Sequence, residues 1–504
     1  MMPRVLTFLL MLNAVARSGT NVLLIIADDY GVDSQSLYNT TAGATPPTPN
    51  INALAAQGVR FTSAWTCPVC SPTRACLLTG RHGFRTGVGE AVTAVAANGL
   101  TAAEVTLPEI ITTHGGIQSA CFGKWHLSAG MPAAIASAPN TIGGWPHFAG
   151  ATGGSLTSYT SWTKVTNGVS STSTVYATTD VVNDAVSWIN ARTAAGQRWL
   201  AWVAFNAPHT PFHNPPATLH SFGANPATNL LKYRAAVEAM DTEIGRLLAA
   251  VNPADTTVIF MGDNGTPGMV IQAPYDSTKA KDTLYEGGVR VPLIVRGPGV
   301  VNPGRTSSAM VHAVDLFSTQ LELAGVPVPS SLTLDARSIV PVLTNQSAGV
   351  RTRLFTDQFD QSDATVGGRA IRDDRYKLIR LNSGTELFFD LQSDPAEATN
   401  LLSGGIAAMN ATHQSRYYRL RFNLGSYTAT PAAEPLNPIA SASGFSLAVP
   451  VAASGTQSLW SSADMDFWTP VSGALSETSG SQRTFTAPPP LTGKTFYSVL
   501  TESP

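Results

Sequence analysis

The sequence predicts an α/β protein whose main sheet is covered by helices on both faces. Four apolar runs rich in β-branched residues are too short for helices and too continuously apolar for strands with one solvated face. Helical stretches lie between these runs, and alternating strands and helices are typical of such a sheet. The runs are residues 21–31, 118–127, 198–209 and 256–265, and the helical stretches include residues 48–58 and 230–251.

The amino terminus predicts export. Arg4 precedes a short apolar run that ends in Ala14-Val15-Ala16, the order found in secretory signal peptides, with cleavage near Ala16. A buried first strand is the alternative, but residues 21–26 already supply that strand. No other segment approaches the roughly 20 apolar residues that cross a bilayer. We therefore expect a secreted or periplasmic protein without a membrane span.

The composition excludes some partners. The chain has 504 residues and a net charge of −2, with 43% apolar and 13% charged residues. This balance gives no sign of a nucleic-acid or membrane-surface partner. The chain is long enough to bury large cores, so its four cysteines do not indicate a disulfide scaffold. Any anionic substrate must be bound by local charge rather than by the field of the whole protein.

Shorter elements follow after about residue 304. Residues 354–355, 370–380 and 385–391 are typical of short antiparallel strands and 406–422 of a closing helix, which predicts a smaller α+β subdomain. A linker rich in Pro, Ala and Ser precedes five short β-type runs. The predicted organisation is a signal peptide at 1–16, a main domain at 17–305, an α+β subdomain at 306–427, a linker at 428–444 and a small all-β module at 445–504.

Polar side chains follow each of the four buried runs. In open α/β sheets, ligands bind beyond the carboxyl ends of the strands, so these endings should meet in one crevice. The endings are Asp28-Asp29, Lys124-Trp125-His126, Pro208-His209 and Asp263-Asn264.

Two of these endings predict a metal site. Asp28, Asp29, Asp263 and Asn264 offer only oxygen ligands, which suits Ca²⁺ or Mg²⁺ rather than zinc. Either pair alone would be explained as turn residues after a strand. Both pairs at the end of one sheet favour a metal.

Cationic and imidazole side chains are expected around that metal. Each of them alone is explained as a structural histidine or as a surface or paired cation. Together, near the strand ends, they are what binding of an anionic group on a metal requires. These residues are Arg74, Lys124, His126, His209 and Lys281.

The stretch CPVCSPTRACLLTGR, which begins at Cys67, holds three of the four cysteines. A redox pair of Cys67 and Cys70 would need a thioredoxin-like βαβ context and a helix start, which Pro72 and the residues after it do not predict. A zinc site would need a second cysteine pair, and only Cys76 and Cys121 remain. The pairing of Cys67, Cys76 and Cys121 stays open.

The motif from Cys70 to Arg74, followed by LLTGR, resembles the signature of the sulfatase family, in which the cysteine is oxidised enzymatically to formylglycine. Thr73 stands where the family more often has serine, and it keeps the hydroxyl. The resemblance spans about residues 21–402 and implies an alkaline-phosphatase-like fold with a large mixed sheet. Its further landmarks, in family order, are LLIIADDYG, TPNINALAAQGVRF, FGKWHL, APHTPF, FMGDNG, KDTLYEGGVRVPLIV and ELFFDLQSDPAEATNL.

The resemblance implies hydrolysis of a sulfate ester, of a sulfated carbohydrate or an aryl sulfate, and a formylglycine-generating maturation enzyme as a partner. It implies one Ca²⁺ or Mg²⁺ bound by the four oxygen-bearing residues and by an oxygen of the modified Cys70. Arg74 and Lys124 would hold the formylglycine, and Lys281 and His209 would contact the sulfate and the leaving oxygen. His126 would act as the base near the hydrated aldehyde.

Two alternatives compete with this interpretation. A phosphonate or phosphate ester hydrolase of the same superfamily tends to carry histidine in place of Asn264, and two-zinc phosphatases need further ligands that the sequence does not offer. A non-catalytic glycan-binding protein on a decayed scaffold would lack at least one of these site residues, and none is missing. In the carboxy-terminal module, Trp460, Phe467 and Trp468 could stack on sugars, although packing is the commoner role of such residues.

Overall fold

The computed structural model describes most of the chain. The predicted signal peptide, most of the predicted linker, Phe467 and Trp468 lie outside the described residues. None of the described helices combines the length and the hydropathy that a bilayer crossing requires. The described residues are 19–40, 43, 45–93, 98–130, 132–428, 438–441, 444–450, 456–462, 469–471, 475–479, 482–487 and 496–502.

A ten-stranded sheet forms the centre of the main domain, in the spatial order β10-β2-β9-β8-β1-β7-β3-β4-β5-β6. Its strands are β1 (Asn21–Ala27), β2 (Val59–Trp65), β3 (Ile117–Lys124), β4 (Phe148–Ala151), β5 (Trp162–Thr166), β6 (Val169–Ser173), β7 (Arg198–Ala204), β8 (Thr256–Gly262), β9 (Leu293–Arg296) and β10 (Arg305–His312). Strands β5 and β9 run antiparallel to all the other strands of the sheet. The prediction of a large mixed sheet is confirmed.

Eleven helices occur in the described part of the chain: α1 (Pro49–Ala56), α2 (Cys70–Thr79), α3 (Gly83–Thr86), α4 (Leu107–His114), α5 (Pro132–Thr141), α6 (Ala177–Ala194), α7 (Asn229–Ala249), α8 (Glu286–Val289), α9 (Asp315–Ala324), α10 (Val340–Leu343) and α11 (Ala411–Thr428). Short 3₁₀ turns lie at Val32–Ser34, Ser277–Lys279 and Ile406–Ala408.

Helices cover both faces of the main sheet, as the continuous apolar runs predict. Val22, Leu24 and Ile26 of β1 pack in a core shared with α2, α4 and α9. The intervening Leu23 and Ile25 face the opposite core, which α1, α6 and α7 complete. All five side chains are fully buried, and each such burial is worth up to about 1.5–3 kcal/mol.

A four-stranded antiparallel sheet forms the smaller subdomain. Its strands are β11 (Leu354–Phe359), β12 (Gly367–Arg372), β13 (Tyr376–Leu381) and β14 (Glu386–Asp390), in that spatial order. Helix α11 covers one face, where Leu420 and Leu424 pack against Ile371 and Phe388. The α+β character predicted for this region is confirmed.

Two element predictions in this region are wrong in detail. The single run 370–380 is two strands, because the carboxylate of Asp373 accepts hydrogen bonds from the backbone N–H groups of Arg375 (3.0 Å) and Tyr376 (2.7 Å) and turns the chain. The closing helix begins at Ala411 rather than at residue 406.

The main sheet extends beyond residue 305. Strand β10 pairs in parallel with β2, and α9 packs beneath the same sheet. Residues 305–324 therefore pack with the main domain, while the domain boundaries drawn from the sequence stay predictions.

The described residues of the carboxy-terminal module form two antiparallel sheets. Trp460 is buried, and its ring centroid lies 5.5 Å from that of Phe422 on α11. This position fits packing rather than sugar stacking. The strands are β15 (Pro438–Ser441), β16 (Gly444–Pro450), β17 (Thr456–Ser462), β18 (Thr469–Pro470), β19 (Leu475–Ser479), β20 (Gln482–Ala487) and β21 (Phe496–Glu502).

A buried charge cluster joins the small sheet to the main domain. The ammonium group of Lys377 on β13 lies 2.9 Å from a carboxylate oxygen of Glu397 and 3.3 Å from one of Glu286, at the start of α8. Trp65 of β2 donates its indole N–H to the same Glu286 oxygen (3.0 Å). Lys377 and both carboxylates are buried. Arg372 also lies 3.3 Å from the other oxygen of Glu286, so Lys377 shares Glu286 with Arg372 and is the cation paired with Glu397.

Replacing Lys377 by methionine should therefore destabilise the protein strongly. The change leaves two buried carboxylates without their shared cation, and we expect the free energy of unfolding to fall by about 3–5 kcal/mol. Guanidinium denaturation followed by tryptophan fluorescence measures the loss. Lys232→Met, at a partly exposed site, is the control and should change stability by less than about 0.5 kcal/mol. Equal stability of both variants would contradict this role for Lys377.

Candidate active site

The ends of β1 and β8 bring the four oxygen-bearing residues together. The two strands are parallel neighbours, and Ala27 pairs with Gly262, so the residues that follow leave the sheet at one level. The backbone N–H of Asp29 donates to a carboxylate oxygen of Asp263 (3.0 Å). The amide of Asn264 donates to the carboxylate of Asp29 (2.8 Å). With Asp28 beside them, all four side chains are buried.

Strand β3 delivers Lys124 to the same place. Its ammonium group lies 2.6 Å from a carboxylate oxygen of Asp28, and both groups are fully buried. The glycine before it permits this approach: Gly123 has φ +91°, and a Cβ there would lie 1.9 Å from the carbonyl oxygen of Ala204 on β7. Only glycine fits this close crossing of two strands.

Helix α2 begins at Cys70, which corrects the expectation that Pro72 and the residues after it provide no helix start. Pro72 occupies the third helical position, where the N–H that proline lacks would have no partner in the helix anyway. The Cys70 thiol lies 3.4 Å from a carboxylate oxygen of Asp28 and 3.7 Å from the ammonium group of Lys281. The sulfurs of Cys67 and Cys76 lie 3.8 Å apart.

Arg74 lies one turn further along α2 and is fully buried. Its guanidinium donates to a carboxylate oxygen of Asp263 (2.7 Å) and to the carbonyl oxygen of Lys124 (2.9 Å). The arginine therefore links α2 to the ends of both β8 and β3.

His209 and Lys281 form the partly open side of the cluster, with about 14–15% of each side chain exposed. The Lys281 ammonium lies 2.7 Å from one carboxylate oxygen of Asp29, and His209 Nε2 lies 3.7 Å from the other. Tyr159 fixes the His209 backbone by donating its hydroxyl to the carbonyl oxygens of Asn206 (2.6 Å) and His209 (2.8 Å).

His126 lies at the margin of the cluster and bonds to none of the other candidate residues. Its Nε2 is 3.0 Å from the carbonyl oxygen of Val92, and its buried Nδ1 has no hydrogen-bond partner. Burial lowers the pKa of His126 well below its ordinary value, so the ring is neutral near pH 7. With Nε2–H donated to Val92, Nδ1 keeps a free lone pair.

The carboxylates and cations of this cluster sum to zero charge without a metal, but the pKa values of the individual groups shift in opposite directions. Burial would raise the pKa of Asp28, yet its cationic neighbours, Lys124 foremost, hold that pKa well below its usual range. Burial and the charge of Asp28 raise the pKa of Asp263 to about 7. Burial also raises the pKa of the Cys70 thiol well above its ordinary value. A dication among these oxygens would oppose the rise at Asp263.

The donor set fits a divalent cation. The side-chain oxygen of Asn264 is buried and has no hydrogen-bond partner, although such atoms are normally satisfied. Ligand atoms of Asp28, Asp29, Cys70 and His209 all lie within 4.8 Å of one another. Carboxylate and amide oxygens dominate the set, which suits a hard cation.

Two supporting tyrosines were not predicted from the sequence. Tyr159 holds the His209 backbone, and Tyr233 of α7 donates to the carbonyl oxygen of Asp29 (2.9 Å). Neither tyrosine belongs to a local motif, since each acts on a backbone carbonyl far away in sequence. Only the folded chain reveals them.

Known proteins resemble this chain in both sequence and fold. A family model described as Sulfatase matches residues 20–326, and one described as N-sulphoglucosamine sulphohydrolase, C-terminal, matches residues 278–419. Human arylsulfatase A (Homo sapiens) is 30% identical over 78% of this chain and 85% of its own length. N-acetylgalactosamine-6-sulfatase of Canis lupus familiaris is 29% identical over 64% of this chain and 66% of its own length. The crystal structure of Ps i-CgsB superposes with a TM-score of 0.67 and 24% identity, covering 77% of this chain and 89% of that one.

Replacing Asn264 by alanine should weaken the binding of a divalent cation by at least about tenfold, because the change removes an oxygen donor. Calorimetric titration of the chelator-treated protein measures the affinity. Asn252→Ala, at an exposed position, is the matched control and should bind the ion as the unchanged protein does. Equal affinities of the two variants would remove Asn264 from the ligand set.

Proposed function

The chain belongs to the sulfatase family and is a sulfuric ester hydrolase, and from this premise we propose that its nucleophile is a formylglycine made from Cys70. We propose further that one Ca²⁺ or Mg²⁺ is bound by Asp28, Asp29, Asp263 and Asn264. The observation that carries this proposal is the position of Cys70 at the start of α2. Its side chain lies against Asp28 and Lys281 within the cluster of oxygen donors.

Cysteine itself is a poor candidate for the nucleophile. A buried thiol whose pKa is raised forms little of the reactive thiolate. Hydrated formylglycine supplies two hydroxyl groups on one carbon, one to attack sulfur and one whose deprotonation expels sulfate. A bound hard cation would lower the pKa of a hydroxyl group and offset charge on the sulfuryl oxygens.

The surrounding cations fit the binding of an anionic group. Arg74 and Lys124 are anchored by carboxylates and are fully buried, so they present fixed positive charge beside residue 70. Lys281 is the cation nearest the open side and lies between Asp29 and Cys70. We assign it to the sulfuryl oxygens, whose charge fixed donors of this kind stabilise in the transition state.

His209 has the geometry of a proton donor to the leaving oxygen. Its Nδ1 lies 2.8 Å from the carbonyl oxygen of Thr210, which makes Nδ1 the donor of that bond. The other nitrogen, Nε2, faces the Asp29 carboxylate at 3.7 Å, on the open side of the cluster. A protonated Nε2 on the open side can transfer its proton to the departing alcohol.

His126 is proposed as the base that removes the second hydroxyl proton. Its neutral ring and the free lone pair on Nδ1 support this role. A base must be unprotonated at the working pH, and burial keeps His126 so.

The interpretation as a sulfatase is favoured over a phosphonate or phosphate ester hydrolase. Asn264 contributes no negative charge and no imidazole, so the donor set lacks the histidine that the rival tends to have. In the described residues, the other cluster of metal-binding side chains is Cys76, His82 and His312, which lacks the carboxylate of a two-zinc phosphatase. None of the candidate residues is missing, which also disfavours a decayed, non-catalytic scaffold.

We propose a sulfated carbohydrate or an aryl sulfate as the substrate. The names of two relatives support this class, since one is an arylsulfatase and the other an N-acetylgalactosamine-6-sulfatase. The net charge of −2 offers no long-range attraction for a polyanion, so recognition would depend on the crevice itself.

Maturation would have to precede folding. Cys70 is about 1% exposed in the folded chain, so a modifying enzyme could not reach its thiol there. We therefore propose that a formylglycine-generating enzyme acts on the unfolded segment from Cys67 to Arg81. The amino-terminal residues 1–16 would direct the chain out of the cytoplasm, to the periplasm or the medium.

The modification of Cys70 is the first expected outcome. Chain made together with a maturation enzyme should yield a Cys70 peptide lighter by the mass difference between CH₂SH and CHO in mass spectrometry. Cys70→Ser should not sustain turnover, because serine has no second hydroxyl to expel sulfate, and it should stall as a sulfated serine or do nothing. The matched control is Cys121→Ser, a buried cysteine outside the cluster. Sustained turnover by Cys70→Ser, or by protein whose Cys70 is wholly a free thiol, would refute the proposal.

The identity of the cation is tested with the matured protein. Chelation should abolish activity, and Ca²⁺ or Mg²⁺ should restore it, because the ligands are oxygen atoms. Restoration by Zn²⁺ alone, with two ions bound at the oxygen-rich site, would point instead to the phosphatase alternative.

His209 and Lys281 should respond differently to the leaving group. His209→Ala should lower kcat/KM for alkyl sulfates by about 10²–10⁴, and less for activated aryl sulfates, whose leaving groups need little protonation. Lys281→Ala should lower turnover on both substrates by about 10²–10³, since sulfuryl charge develops in either reaction. Equal losses for both variants on both substrates would contradict this division of roles.

A further inference from the structure

A second cluster of metal-binding side chains lies on α2 and its flanks, apart from the oxygen-rich site. Cys67 precedes α2, Cys76 lies within it, His82 follows it, and His312 ends β10. All four side chains are at most about 1% exposed. In the sequence, Cys67 and Cys76 are motif cysteines to which no role is assigned. Nothing in the sequence groups them with His82 and His312.

The distances suit a small ion with four soft donors. The sulfurs of Cys67 and Cys76 are 3.8 Å apart. Two thiolates on a tetrahedral zinc, at about 2.3 Å each, lie about 3.8 Å from each other. Ligand atoms of Cys76, His82 and His312 fall within 4.8 Å of one another, and the two imidazole centroids are 4.7 Å apart. Cys67 joins this group through its sulfur contact with Cys76, so binding of one ion by all four residues requires the Cys67 thiol to move toward the two imidazoles.

Unsatisfied nitrogens are the second, independent observation. His82 Nδ1 is buried and has no hydrogen-bond partner, and His312 Nε2 has none of ordinary geometry, its nearest polar neighbour being the Thr66 backbone. Buried polar atoms normally have a hydrogen-bond partner, so these two call for an explanation. Burial also lowers the pKa of both rings, that of His82 to about 3, and the neutral imidazole is the form that binds metals.

We propose that Cys67, Cys76, His82 and His312 bind one Zn²⁺ as a buried structural site. Binding would release one proton from each thiol, and two thiolates with two neutral imidazoles make the complex electrically neutral. Neutrality suits a site whose neighbours include Val314 and Ala336.

Zinc binding would displace the hydrogen bond between Val314 and His312. The backbone N–H of Val314 donates to His312 Nδ1 (3.1 Å), so in the metal-free chain the ring proton sits on Nε2. Coordination through Nε2 moves that proton to Nδ1 and displaces the Val314 contact. A single hydrogen bond is a small loss beside the affinity of a four-donor zinc site.

The proposed site would brace the helix that presents the nucleophile. Its ligands tie both ends of α2 to β10 of the main sheet, while Cys70 and Arg74 project from the same helix into the oxygen-rich cluster. The two sites would select different ions, because one offers oxygens and the other sulfur and nitrogen. The zinc is therefore not assigned a part in the chemistry.

The test is carried out on the full chain in a Cys70→Ala background, so that no other thiolate lies near a metal. We expect about one zinc per chain by elemental analysis, retained when mild chelation removes the hard cation. Co²⁺ in place of zinc should give thiolate-to-cobalt charge transfer and the intense d–d bands of a tetrahedral site. The readout is metal content and absorption, so it stands apart from the outcome for the sulfatase mechanism.

Variants identify the ligands. Cys76→Ser and His312→Gln should lower zinc content to below about one tenth of an ion per chain and abolish the cobalt bands. The matched control, Cys121→Ser, should keep both. Zinc-free protein from zinc-supplied cells, zinc content unchanged in these variants, or a Cys67–Cys76 disulfide in the peptide map would each overturn the proposal. Where a variant fails to fold, the metal content and cobalt spectrum of the background protein alone decide.

Discussion

The burial of three carboxylates against three cations at the ends of parallel strands is the constraint on which this structure depends. Asp28, Asp29 and Asp263 could not be buried together without compensation, because unpaired buried charge is strongly unfavourable. Arg74 and Lys124 supply two of the cations. Lys281 supplies the third. These cations come from α2, the end of β3 and the loop before α8, so the cluster ties distant parts of the main domain to one point.

The backbone at this point is as constrained as the side chains. Asp29 and His126 have positive φ values of 67° and 56°, a conformation that non-glycine residues rarely adopt. At Gly262, a Cβ would lie 2.1 Å from the carbonyl oxygen of Tyr30. Only glycine therefore allows the chain that leaves β1 to approach the end of β8 so closely. Strain of this kind persists where the surrounding structure enforces it, and here it sets the directions of the candidate ligands.

The small sheet supports the site from outside. Asp357 of β11 accepts the backbone N–H of Phe84 (2.8 Å), and Gln358 donates its amide to Glu90 (2.9 Å), so β11 braces the loop that follows α2. Lys377 joins the same sheet to Glu286 of α8, a few residues after Lys281. The small sheet thus contacts both the segment after α2 and the segment that follows Lys281.

Much of the fold and of the candidate site follows from the sequence alone. The apolar runs predict β1, β3, β7 and β8, and the polar residues after each run predict which side chains meet, because parallel strands end at one edge of the sheet. Oxygen-only ligands likewise indicate a hard cation, since ligand chemistry is a property of residue type.

Tertiary structure alone decided the rest. No capping side chain marks the helix start at Cys70, so the sequence does not indicate it. The division of residues 370–380 into two strands depends on the turn at Asp373. The bonds of Tyr159 and Tyr233 reach backbone carbonyls, which any residue could offer. The grouping of Cys76 with His312 joins positions more than two hundred residues apart. Local patterns report on neighbours in the chain, whereas these contacts exist only because packing of the sheet and its helices brings separate segments within bonding distance.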